Sequence, residues 1–220
     1  GGGHGHAPKW VDVALQHNTR IDDALAKSQR AEELMRIVAG TLRGRPIRAP
    51  DGLDVRPTSD RARQAIFNIL EHAPWSEGVA GRRVIDVFAG SGALGLEALS
   101  RGAARCLFVD RSEASLAAVR ANVEALELGE RTRLLRQDAT RLGLRHEGKP
   151  SFDIAFLDPP YRKDLAGPAL AALHAGGWLT TDAIVVLERA AGDADIQTPG
   201  YEPLDRRRYG AAEVLFLRPA

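Results

Sequence analysis

The stretch "RRVIDVFAGSGALGLEALSRG", Arg82 to Gly102, decides how this chain is read. Through Phe88 it is a short apolar strand, and from Ala93 to Gly102 it is a helix closed by glycine. Between them Gly90, Gly92 and Gly95 form a literal G-x-G-x-x-G. Working outward, the same alternation continues. "RCLFVD" is a second strand, "SEASLAAVRANVEALEL" a helix, "TRLLRQD" a third strand and "FDIAFLD" a fourth. "AGPALAALHAGG" is a helix, "AIVVLER" a fifth strand, and "PLDRRRYGAAEVLFLR" an antiparallel pair turning at Tyr209-Gly210. Mostly apolar strands separated by helices predict a largely parallel sheet, seven-stranded with its terminal pair and covered by helices on both faces.

Composition narrows the rest. At 220 residues, 44% apolar and 27% charged, the chain suits one α/β domain with a short appendage. Its formal charge of +1 exerts no overall pull on nucleic acid, although a local basic face remains compatible with it. The single cysteine, Cys106, has no partner for an intramolecular disulfide, and no Cys/His spacing resembles a zinc site. No run is apolar enough for a membrane span, so a cytoplasmic protein without a membrane partner is expected. "GGGHGHAP" at the start is glycine-rich; His4 and His6 there are read as inert tail residues, and no metal is expected. Val13, Ile21, Leu25 and Leu34 recur at near-helical intervals, and Met35 looks like a natural start. Residues 1–34 are therefore read as a tail with a possible helix, 35–57 as a basic hairpin and 58–220 as the main domain.

The hairpin reading rests on "RIVAGTLRGRPIRAP", which alternates apolar and basic residues around Gly44. Arginines 36, 43, 45, 48, 56, 61 and 63 face only aspartates 51, 54 and 60. "TSDRARQAIFNILEH" follows, with Thr58 or Ser59 as helix cap and Ala62, Ile66, Ile69 and Leu70 along one face.

In parallel sheets, ligands bind at the carboxyl ends of the strands. The glycine motif alone fits a dinucleotide loop or merely a tight turn. Three strand-end acids discriminate. Asp86 ends the first strand, Asp110 the second and Asp138 the third. Each could be a helix cap, yet together they suit a ligand with a cation and several donors. S-adenosylmethionine carries an ammonium, a sulfonium, a ribose diol and an adenine amine, whereas Asp86 would repel a dinucleotide's pyrophosphate. The fourth strand ends in Asp158-Pro159-Pro160-Tyr161. As a turn this would be a proline-rich cap. As a site it offers the Asp158 carboxylate and the Pro159 carbonyl to the two hydrogens of an exocyclic base amine, on a backbone with φ fixed twice. Tyr161 would stack on the extruded base.

"DVFAGSGALGLEALSRGA" followed by "FLDPPY" resembles the Rossmann-like, class I S-adenosylmethionine-dependent amino-methyltransferases. "MRIVAGTLRGRPIRAPDGLDVRPTSDRARQAIFNIL" closely resembles the start of the RsmD family, bacterial guanine-N2 methyltransferases acting on small-subunit ribosomal RNA. The resemblance covers Met35 to Ala220. It implies that Asp86, Gly90, Ser91 and Gly92 line the methionine end of the cofactor. It implies further that Asp110, with Arg111, holds the ribose and that Asp138 and Ala139 sit by the adenine. Asp158, Pro159, Pro160 and Tyr161 would hold the guanine amine, with Thr58 and Arg63 bordering the site. Arg36, Arg43, Arg45, Arg48 and Arg56 would join them in contacting RNA; a solvated charged face is the plainer reading, as it is for Arg206-Arg207-Arg208. The expected partner is small-subunit ribosomal RNA inside a partly assembled subunit, bound by a monomer. Two other readings stay open: an adenine-N6 DNA methyltransferase, and a non-catalytic RNA-binding assembly factor.

Overall fold

In a computed structural model of the chain, residues 35–50, 59–146, 151–160, 164–193 and 196–220 are described. The expected tail, Arg56, Thr58 and Tyr161 lie outside them.

Seven strands form one sheet. β1 (Arg83–Val87), β2 (Arg105–Asp110), β3 (Thr132–Arg136), β4 (Phe152–Leu157) and β5 (Leu179–Ala190) run parallel, and β6 (Tyr201–Tyr209) and β7 (Ala212–Pro219) close it antiparallel. The order is β3-β2-β1-β4-β5-β7-β6. The chain therefore steps outward from β1 to β3, then returns to lay β4 on β1's other side. That reversal opens a crevice between β1 and β4 at their carboxyl ends.

Among the described residues α1 (Asp60–His72) precedes β1, and α2 (Ala93–Ser100), α3 (Glu113–Ala125) and α4 (Ala166–Ala175) each join two strands. Ser59 caps α1 by accepting the Ala62 N–H, which settles the choice between Thr58 and Ser59 in favour of the serine. β4 shows why the strands read as continuous apolar runs. Ile154 and Phe156 pack into the core beneath α1–α3, while Ala155 and Leu157 pack beneath α4. With both faces covered, polar alternation is lost. Among the described residues no helix is long and apolar enough to cross a membrane.

α2 is buried nearly all round, from Leu94 to Ser100. Gly95 permits this: a Cβ there would lie 2.4 Å from the Phe108 ring and 2.7 Å from Cys106 Sγ on β2. The one acid in that helix, Glu97, is fully buried. Its carboxylate accepts the backbone N–H groups of Val38 at 2.7 Å and Ala39 at 3.0 Å, and Arg101 Nε at 2.7 Å. Arg63 Nε stands 3.7 Å away.

These bonds dock the expected hairpin before α1 onto α2. Arg36 and Pro46 form a β-bridge. The two arms bond each other through the Ile37 N–H to the Arg45 carbonyl, the Gly44 N–H to the Ile37 carbonyl and the Ile47 N–H to the Met35 carbonyl. The segment is thus a short hairpin whose turn is gripped by α2. Ser100 Oγ donates to the Ala39 carbonyl and accepts the Leu42 N–H, and Ser100 O accepts the Thr41 N–H. Ile37 and Ile47 face the core, while Arg36, Arg43, Arg45 and Arg48 point outward. Glu97→Ala leaves the Val38 and Ala39 donors without acceptors and Arg101 short of one. We expect it to cost about 3–5 kcal/mol of stability in urea unfolding, with Glu97→Gln milder; a loss below about 1 kcal/mol contradicts the anchoring role.

Candidate active site at the β1–β4 crevice

Because Val87 pairs with both Val109 and Leu157, the next residues along β1, β2 and β4 emerge at one level. They are Phe88, Asp110 and Asp158. The Asp158 N–H points to the Val87 carbonyl at 3.5 Å, so its backbone sits beside the start of the glycine turn. Neighbouring strands are separated by about 4.8 Å, which makes Asp158 and the turn opposite walls of one crevice.

The chain leaves β1 in a crowded conformation. Phe88, Gly90 and Gly92 have φ of 61°, 55° and 79°. For a phenylalanine this region costs about 1–3 kcal/mol, the kind of strain that clusters at ligand sites. The turn is held by its surroundings: Ala89 donates to the Val109 carbonyl, and the Ser91 carbonyl accepts from Asn122 Nδ2. The same Asn122 amide bonds the Arg48 backbone in both directions. One buried asparagine therefore fixes the basic segment and the glycine turn to each other.

The three acids behave differently. Asp86 is buried, and its Oδ2 accepts the Gly95 N–H at 2.9 Å. Burial pushes its pKa up to about 8; the Gly95 bond opposes this and the Asp110 charge reinforces it. Asp110 accepts the Gly90 N–H at 3.0 Å and the Ser112 N–H at 2.8 Å. Asp138 accepts both the backbone and the hydroxyl of Thr140, which hold its carboxyl below the usual range, with Arg141 and Arg111 adding to the effect. Ala139 beside it is buried. All three glycine N–H groups of the motif are engaged, Gly90 by Asp110, Gly92 by the Ala89 carbonyl and Gly95 by Asp86. A pyrophosphate needs such groups free. A carboxyl whose charged form burial disfavours gains a partner when a cation arrives, and the two acids beside it suit hydroxyls and an amine.

Pro159 is buried and Pro160 exposed, so the segment after β4 is pinned at its first proline. One expectation needs correcting. Arg63, grouped with the RNA-facing arginines, is fully buried and donates to the Arg36 carbonyl at 2.5 Å and to Asp60 at 2.7 Å. Its charge sits on Asp60 and near Glu97, so it positions the basic segment from within. Arg36 and Arg45 remain exposed while bonding Asp60 and the Ala125 carbonyl. Arg207 bonds Asp205 on the edge strand. Sequence reasoning overlooked Glu97 and Asn122. A lone carboxylate inside the apolar "ALGLEALS" was the available signal for the first; for Asn122 there was none. Among the described residues no group of three or more His, Cys, Asp and Glu side chains is placed to hold a metal ion.

The family model described as "Conserved hypothetical protein 95" matches residues 35–218. Ribosomal RNA small subunit methyltransferase D of Escherichia coli strain K12 is 38% identical over 154 residues, 70% of this chain and 74% of that one. Its Haemophilus influenzae counterpart is 32% identical over 164 residues, 74% and 82% of the two chains. The solved structure of Escherichia coli YhhF superposes with a TM-score of 0.71 at 28% identity, covering 84% of this chain and 98% of that one. The fold is thus the Rossmann-like class I one. With a model spanning nearly all of the described chain and relatives this similar over most of their length, the protein belongs to the RsmD-type methyltransferase family.

Proposed function

We propose that this protein transfers a methyl group from S-adenosylmethionine to the N2 amine of a guanine in small-subunit ribosomal RNA. The observation that carries this reading is the placement of Asp158 and Pro159 level with the glycine turn, across one crevice, in a chain whose relatives are named for that RNA.

S-adenosylmethionine, when bound, supplies a methyl group activated by its sulfonium. The rest of the chemistry belongs to the chain. An aromatic amine is a weak nucleophile because its lone pair is delocalised into the ring. The Asp158 carboxylate and the Pro159 carbonyl accept its two hydrogens, which turns the nitrogen toward a pyramidal shape and aims the lone pair into the crevice. Pro159 and Pro160 keep those acceptors from following the base as it moves. Tyr161 stacks on the extruded guanine. Asp86 neutralises the ammonium of the cofactor, Gly90, Ser91 and Gly92 shape the turn around it, Asp110 and Arg111 border the ribose, and Asp138 with Ala139 border the adenine. The exposed Arg36, Arg43, Arg45 and Arg48, with Arg56 and Thr58, meet RNA phosphates. No metal takes part. The substrate is presented by a partly assembled small subunit, and the protein acts in the cytoplasm as a monomer.

Two outcomes test this. With tritiated cofactor and small subunits from a strain lacking the methyltransferase, label is expected in guanine of the ribosomal RNA; label in adenine of duplex DNA contradicts the reading. Asp158→Asn is expected to lower transfer by roughly 10²–10³-fold while cofactor affinity stays within a few-fold. Transfer at the unmodified rate contradicts the clamp.

A third test concerns pH. In the free protein Asp86 keeps its proton up to about pH 8. Pairing with an ammonium requires the carboxylate, so binding must expel that proton. Affinity for S-adenosylhomocysteine is then expected to rise about tenfold per pH unit as pH climbs from roughly 6 to 7.5. Calorimetry should show a proton released in the unmodified protein and none in Asp86→Asn; equal pH profiles for the two contradict Asp86 as the cation's partner.

A further inference from the structure

A cavity of about 690 Å³ lies away from the crevice, along the outer strand of the parallel half. None of the strand-end acids lines it. It exists because the described part of the β3–β4 crossover is thin. Among its described residues the helical content is the single 3-10 turn Ala139–Arg141, so α4 covers β4 and β5 while β2 and β3 are left open on that side. Alternation along those strands then puts Arg105 and Leu107, and Arg133 and Leu135, on the uncovered face, where Leu107 pairs with Arg133. Leu107, Leu135 and Phe152 are half-buried and make an apolar floor. Phe152 is backed by Trp178, stacked at 6.3 Å.

The rim is cationic. Among the described residues, Arg83, Arg105, Arg131, Arg133 and Arg145 line the cavity against one carboxylate, Glu130. Two of the five are spoken for: Arg83 by Asp153, through two bonds at 2.7 and 3.0 Å, and Arg131 by the carbonyls of Leu99 and Ala103. Arg105 is exposed. Arg133 uses Nη1 on the Thr132 carbonyl. Arg145 donates Nε to the Gly177 carbonyl, while its Nη1 is shielded from water and has no hydrogen-bond partner.

We infer that this cavity is a second nucleic-acid site, which seats one nucleotide of an RNA strand with its base on the Leu107–Leu135–Phe152 floor and its phosphates on Arg105, Arg133 and Arg145. The chemistry that fits is a flat apolar body carrying anionic oxygens. Guanidinium forks match phosphate oxygens in pairs, and the volume lies in the range of small-ligand pockets. An acidic peptide would satisfy the arginines but would leave the floor without a flat partner. The inference rests on the proposed function for the identity of the strand, ribosomal RNA. The lining is set mainly at the amino ends of the strands, at Arg83, Arg105, Thr132 and Phe152, and reaches Gln137 on the carboxyl side of β3. An RNA bound there therefore lies chiefly on the rim opposite the crevice. The contact would hold the substrate at a distance from the reacting base.

The test uses full-length protein and deproteinised small-subunit ribosomal RNA. Arg105→Glu with Arg133→Glu reverses two charges on the open face of the sheet; Arg105→Glu alone serves as the second variant, because that side chain is exposed. Filter binding between about 50 and 200 mM salt is expected to show affinity reduced at least tenfold in the double variant. The slope of log affinity against log salt should shrink by about 1.4, as for two lost single-strand phosphate contacts. Cofactor binding by calorimetry should be unchanged, which also reports that the variant is folded. Unchanged RNA affinity and slope overturn the inference, as does polyglutamate competing as well as RNA. Displacement by free guanosine monophosphate but not by RNA also overturns it. If the unmodified protein transfers label to small subunits from a strain lacking the methyltransferase while the double variant binds the RNA equally well, only the second site fails; if the unmodified protein transfers none to those subunits, the proposed function itself fails.

Discussion

Everything at the proposed active site depends on the register in which β1 pairs with its two neighbours. Val87 lies opposite Val109 on one side and Leu157 on the other. That single alignment brings the glycine turn, Asp110 and Asp158 out of the sheet together. A slip of one residue on β4 would turn Ile154 and Phe156 away from the core they fill and move Asp158 off the crevice. The register is secured by burial: every residue from Ile154 to Leu157 is inaccessible. Hydrophobic packing thus fixes the position of a polar group that contributes nothing to the packing.

The second constraint is the tether between the cofactor half and the basic segment. Glu97 and Ser100 grip the backbone of residues 38–42, and Asn122 binds Arg48 on one side and Ser91 on the other. Neither is a surface ion pair that salt would screen; both are buried polar contacts whose loss strands donors without water. The exposed arginines are consequently carried on a rigid mount. A buried Arg63 is part of that mount, which is why its charge does not reach solvent.

Much of this was legible in the amino-acid order. The strand and helix alternation, the terminal antiparallel pair and the acids ending β1, β2 and β3 all follow from local pattern, because a parallel sheet buried on both sides writes itself as short apolar runs. The Asp-Pro-Pro stretch stood out because no strand interior tolerates it. What could not be read depends on contacts between residues far apart in the chain. Arg63 reads as one more arginine in a basic run until α2 delivers Glu97 to it. The N-terminal segment reads as a hairpin and is one, but its docking onto α2 through Glu97 and Ser100 is not written in its own residues. The open face of β2 and β3 follows from the little helix in the described part of the crossover, and strand periodicity carries no record of what lies above.

The central claim is that the donor methyl and the target amine meet between the β1 turn and the β4 end. A crystal structure with S-adenosylhomocysteine and a guanine-containing RNA fragment addresses it directly. The account expects the cofactor sulfur in the β1–β4 crevice, with the N2 amine within hydrogen-bond reach of the Asp158 carboxylate and the Pro159 carbonyl. A cofactor seated elsewhere, or a guanine whose amine faces away from Asp158, contradicts it.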